Sequence, residues 1–189
     1  MSWTKFKNDV VRKMKKGPSS LEETAKIIAS SYDRAVRSAQ SGDKVGFNRL
    51  IKGNKEGFEK YITRILKAQS KSITATPIHN LIAKGFPIYW LGGQLSTEKI
   101  PATPAPGAIV NVSVVVNTVD FPGAPVEIPV PLGKSQSTEQ FVNNLVKVAK
   151  LHLNTLSGST KTISQYPVIP PGTVPGPGII LWTGYVVPE

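Results

Sequence analysis

The chain has 189 residues, no cysteine, 19% charged residues and a formal net charge of +11. That length allows one sizeable core, or a small domain with extended arms. The missing cysteines exclude disulfide staples, thiolate metal sites and cysteine nucleophiles, and no run approaches the ~18 apolar residues of a membrane span.

Charge divides the chain. Residues 1–100 hold 19 Lys and Arg against 8 Asp and Glu, whereas residues 101–189 hold 4 of each. The opening "MSWTKFKNDVVRKMKKG" spreads its charges without an apolar h-region, so it reads as no secretory signal, and synthesis in the cytoplasm is the expectation.

In chain order, Trp3, Phe6, Val10 and Met14 recur every three or four residues. Lys5, Lys7, Arg12, Lys13, Lys15 and Lys16 stand between them, which predicts a basic amphipathic helix stopped by Gly17 and Pro18. Ser20-Leu21-Glu22-Glu23 fits a capping box that opens a second helix, and "SGD" at 41–43 ends it. "GFNRLIKGNKEG", with three glycines, is expected to be a loop with a helical turn. A third helix follows from about Gly57 to Ser70. "PIHNLIAKG" predicts a short helix with Pro77 at its first turn and Gly85 at its C-cap.

From residue 86 the pattern changes, which suggests a basic helical region over 1–85 and a Pro-rich β region over 86–189. "FPIYWLGGQL" is apolar and aromatic, and "IPATPAPGA" is a connector. "IVNVSVVVNTV", 109–119, places Val110, Val112, Val114 and Val116 at alternate positions and predicts a strand. The prolines of "VEIPVPL" assign that stretch to a sheet edge. Ser137-Thr138-Glu139-Gln140 is a second capping box, opening a helix over 137–157 that Gly158 closes. The end, "VIPPGTVPGPGIILWTGYVVPE", is a stiff proline spacer followed by an apolar strand. That strand either returns to its own sheet or adds to another subunit's. The expected class is α+β: an N-terminal helical segment beside a small, mainly antiparallel sheet, with one crossing helix and Pro-rich extended arms.

Candidate chemistry is sparse. His79 and His152 have no carboxylate or second histidine three or four residues away, as a helical metal or base pair needs, and read as packed histidines. Asp120 precedes "FPGAP" and reads as a turn starter. No G-x-S-x-G elbow and no P-loop occurs, although "GNKEG" offers backbone amides of the kind that bind anions. Only a deep pocket gathering Asp or Glu around either histidine would support an enzyme. The reading is a non-enzyme with no cofactor, no metal, no small-molecule substrate and no catalytic residue. The basic half would attract phosphate as well as acidic protein surfaces. The nucleic-acid alternative rests on Lys5, Lys7, Arg12, Lys13, Lys15 and Lys16.

The series "IASSYDRAV", "GNKEGFEKYI" and "IYWLGG", followed by a proline-interrupted β half, resembles small virion structural proteins of tailed bacteriophages: tail, neck or baseplate components. The resemblance implies a structural or assembly role in the virion, with other virion proteins as homo- or hetero-oligomeric partners, possible DNA contact and no membrane. Large aromatics dominate interface energetics, so Trp3, Phe6, Tyr89, Trp90, Trp182 and Tyr185 are the expected interface residues.

Overall fold

The structure is a computed structural model. It describes residues 2–37, 40–41, 48–71, 76–97, 111–129, 136–165, 178–183 and 185–186. The proline-rich connector expected over 100–108 and the proline spacer expected from Val168 to Pro177 lie outside the described residues.

The first hundred residues build most of a helical layer. α1 (Trp3–Lys15) has Ser2 as its N-cap, and its apolar stripe Trp3, Phe6 and Val10 is fully buried. Gly17, at φ +73, ends it as expected. α2 (Leu21–Val36) starts at Ser20, whose hydroxyl accepts from Glu23 N at 3.1 Å. The return bond of the box has moved back one residue: Glu23 Oε2 accepts from the Ser19 amide at 2.6 Å. α3 (Lys55–Lys71) buries Phe58 and Ile62. α4 (Ile78–Ala83) and the single turn α5 (Phe86–Trp90) follow. Gly85 does not take the left-handed C-cap conformation: its φ is −89, and it is the N-cap of α5.

α6 (Thr138–Leu153) opens on a complete capping box between Ser137 and Gln140. It ends at Asn154, short of the expected Gly158. Its main packing is against α1 and α4, so helical packing runs past residue 85 into the second half of the chain.

The strands are β1 (Gln40–Ser41), β2 (Asn48–Lys52), β3 (Gln94–Thr97), β4 (Asn111–Phe121), β5 (Ser157–Gln165), β6 (Gly178–Thr183) and β7 (Tyr185–Val186). Five form one antiparallel sheet in the order β2-β3-β4-β5-β6, and β1 pairs separately with β7. The architecture is thus α+β.

Three local expectations are corrected. The stretch read as a loop before the third helix contains β2, because its alternating Asn48-Arg49-Leu50 backbone pairs with Ser96 and its neighbours. The valine strand runs on to Phe121, two residues past its expected end, and shifts register against β5 between Val114 and Val116, while Ile109 and Val110 lie outside the described residues. Val126–Pro129 is not a sheet edge: Asn80 holds Ile128 there, with Nδ2 donating to Ile128 O at 2.9 Å and Oδ1 accepting from Ile128 N at 3.1 Å.

The described core lies among the helices, from Trp3 to Leu156, with Val119 joining from β4. No described helix is long and apolar enough to cross a membrane.

Candidate functional site

The heart of the helical layer is a ring cluster. Tyr32 stacks on Phe86 at 4.8 Å between centroids and meets Tyr89 edge-on at 5.0 Å, while Phe58 tilts against both Tyr32 and Phe86. Such contacts add to area burial. Each polar handle in the cluster is bonded. Trp90 Nε1 donates to Tyr32 Oη at 2.9 Å, and Tyr89 Oη donates to Asp33 Oδ1 at 2.7 Å. Arg37 Nε donates to the other Asp33 oxygen at 2.8 Å. Burial, followed by the Asp33 charge, pushes the Tyr89 phenol far above its ordinary range, and the bond to Asp33 raises Arg37. The phenol therefore acts as a fixed donor rather than an acid. Gly53 leaves room for it, since a Cβ there would stand 2.6 Å from Tyr89 Oη.

A second cluster fastens α1 to α2. The Asp9 carboxylate accepts from Arg12 at 3.0 Å, Lys13 at 3.0 Å and Ser31 at 2.9 Å, and also pairs with Arg34. Burial alone would raise its pKa. Hydrogen bonds from Lys13, Ser31 and Arg12, with the charge of Arg34, outweigh that and hold it at about 2. Lys15 reaches Glu139 at 2.8 Å, tying α1 to α6.

Both histidines are fully buried. His152 Nε2 lies 3.0 Å from Pro122 O, and its ring packs on Phe86. Nε2 is the donor, because a carbonyl can only accept; Nδ1 is then an unprotonated nitrogen without a hydrogen-bond partner. Burial depresses His152 to about 4, against the small lift from Pro122. Gly123, at φ +87, brings the backbone under the ring, and Thr155 Oγ1 accepts from Ala124 N at 2.9 Å. Neither ring nitrogen of His79 meets a polar group at full hydrogen-bond geometry; burial lowers its pKa, and a weak approach of the Gln136 side chain only partly offsets this. Neither histidine bonds a carboxylate. Among the described residues no three His, Asp or Glu side chains gather as a metal set. Among the described residues there are open hollows, such as one of about 520 Å³ lined by Lys52, Gly53, Asn54, Lys55, Glu56, Leu91 and Gly92.

The sheet offers a different kind of site: its two edges. β2 carries Arg49 and Lys52 and shifts register between Leu50 and Lys52. Charge and bulge are the usual protections of an exposed edge. β6, at the other end, reads Gly-Ile-Ile-Leu-Trp-Thr, without charge or proline. It pairs with β5 from Ser157↔Thr183 to Thr162↔Gly178. In an antiparallel ladder alternate residues of an edge strand turn their amides outward, so about three N–H and three C=O groups face away from β5.

The expected interface residues separate accordingly. Trp3, Phe6, Tyr89 and Trp90 are buried in the chain's own core, so as folded here they present no surface to a partner. They carry apolar stripes, and the same stripe serves either purpose in sequence. Trp182 and Tyr185 lie in β6 and β7, with backbone partners Gly158 and Ser41. Of the cations in the nucleic-acid alternative, Arg12, Lys13 and Lys15 are engaged by carboxylates of the same chain. Sequence reasoning missed Asp33; its signal was a carboxylate inside the α2 stripe, one residue after Tyr32 and four before Arg37.

Comparison with known proteins gives no match among family models, curated proteins or solved structures.

Proposed function

We propose that this protein is a non-enzymatic structural or assembly protein of a tailed-phage virion, a tail, neck or baseplate component, acting through oligomeric protein interfaces. The open edge of β6 is its principal joint. The observation that carries this reading is the contrast between the two terminal strands of the sheet: β2 is charged and bulged, and β6 has no charge, no proline and no register shift. An apolar edge left in water invites any extended chain to pair with it, so a protein that keeps one has a partner strand for it. Backbone N–H groups of β6 donate to carbonyls of the incoming strand, and its own carbonyls accept in return. The virion assignment rests on the resemblance carried by "IASSYDRAV", "GNKEGFEKYI" and "IYWLGG".

The test is the solution mass of the full chain beside a variant lacking residues 179–189. Deletion makes β5 the new edge, and β5 is largely polar and contains Lys161. The full chain is expected to be oligomeric at micromolar concentration, and the truncated chain a folded monomer. Equal masses for two folded proteins would overturn the proposal. Mass spectrometry of purified particles tests the virion assignment separately.

A further inference from the structure

The outer face of α3 carries a row that no other helix here matches. Lys60, Arg64, Lys67 and Lys71 follow one another at spacings of four, three and four, so they align along one side of the helix, and all four are exposed. At 1.5 Å per residue the row is about 16 Å long. Only Lys67 has a carboxylate partner among the described residues, Glu22, and that pair is itself exposed. Arg64 lies over the Tyr61 ring at 5.5 Å, which steadies the guanidinium without neutralising it. α1 has five cations, but Asp9 and Glu139 engage three of them. What sets α3 apart is that its exposed cations form one continuous row.

The geometry points to the α3 row as a binding surface for the phosphate backbone of duplex DNA, without sequence preference. Two observations favour phosphate over an acidic protein. First, the exposed residues of this stretch, Lys60, Arg64, Lys67, Ala68, Ser70 and Lys71, include no large apolar side chain. Stable protein interfaces are anchored by buried apolar or aromatic groups and are depleted in lysine. Second, duplex DNA carries one charge per ~3.4 Å of each strand, so a row of this length runs beside about five phosphates of one strand in any register. This inference is independent of the β6 joint, which lies in the sheet.

The experiment is fluorescence anisotropy of a labelled 30-bp duplex with the full chain, titrated between 50 and 200 mM salt. Three to four phosphate contacts give a slope of log K against log[salt] of about −3, and a roughly 40- to 150-fold loss of affinity across that range. Replacing Lys60, Arg64 and Lys71 together by Ala is expected to reduce the slope's magnitude by about 2 to 3. The same change at Lys5, Lys7 and Lys16 should leave most of the slope intact. Lys60→Arg with Lys71→Arg retains binding, which separates charge from folding, and helical circular dichroism checks each variant. No binding by the full chain at 50 mM salt would overturn the inference, as would an unchanged slope in the α3 variant. Poly-glutamate binding as tightly as the duplex would also overturn it, in favour of an acidic protein partner.

Discussion

The helices and the sheet hold themselves together in different ways. Between Trp3 and Leu156 the helical layer is closed by large side chains with identified partners: rings on rings, Tyr89 on Asp33, Trp90 on Tyr32. The sheet is a backbone ladder of five strands, with β6 the last of them among the described residues. Charge follows the same division, since the cations cluster on the helices while β6 carries none. Under the proposals above, that difference puts assembly at the sheet edge and polyanion binding on the cationic helix.

The largest effect expected from breaking the helical side is at Trp90. Trp90→Ala opens the ring cluster and removes the Nε1–H bond to Tyr32 Oη, so urea unfolding should show a loss of about 3–5 kcal/mol. A loss under ~1 kcal/mol would mean the rings do not close the layer.

Acid comes next. His152 has an ordinary pKa of about 6.5 when unfolded and about 4 when folded. The unfolded chain binds the extra proton between those values, so stability falls as pH drops from 6.5 to 4, by about 3 kcal/mol. His79, also lowered by burial, acts in the same direction. Asp9, at about 2 when folded, adds a separate loss as pH falls from about 4 towards 2, when the α1–α2 fastening protonates. Urea midpoints at pH 7.5, 5.5 and 4 check the upper window, and His152→Gln should flatten most of it. Both histidines of the chain lie in helices, so the acid loss should register in the helical signal first.

The smallest effects distinguish the two capping serines. Ser137→Ala removes a complete box and should cost about 1 kcal/mol, read by thermal or urea unfolding. Ser20→Ala should cost less, because the Glu23 side chain bonds Ser19 and still supports the helix start.

Much of the helical side was legible in sequence, because stripes and caps are local. Trp3-Phe6-Val10, Ser20 and Ser137 each mark an element within a few residues. The strand pairing was less so. β2 was obscured by glycines at Gly46 and Gly53 that read as loop punctuation, and its identity depends on a partner, Gln94–Thr97, more than forty residues away. Phe86–Trp90 was placed at the start of the β region as an apolar, aromatic run, yet it forms a helical turn, with Pro87 in its first positions. Nor could periodicity say whether an aromatic stripe faces its own core or a neighbour; Tyr89 and Trp90 were decided by Asp33 and Tyr32 on another helix. The α3 row was written in the sequence, but its exposure depended on which face Phe58 and Ile62 turned inward.

Amide hydrogen exchange along β6, as a function of protein concentration, tests the central claim most directly. Amides bonded to β5 should be protected at every concentration, and the alternate, outward amides of Gly178–Thr183 should become protected only where the protein assembles. Outward amides that exchange at the solvent rate in the assembled protein would contradict the account, because the unguarded edge would then have no partner.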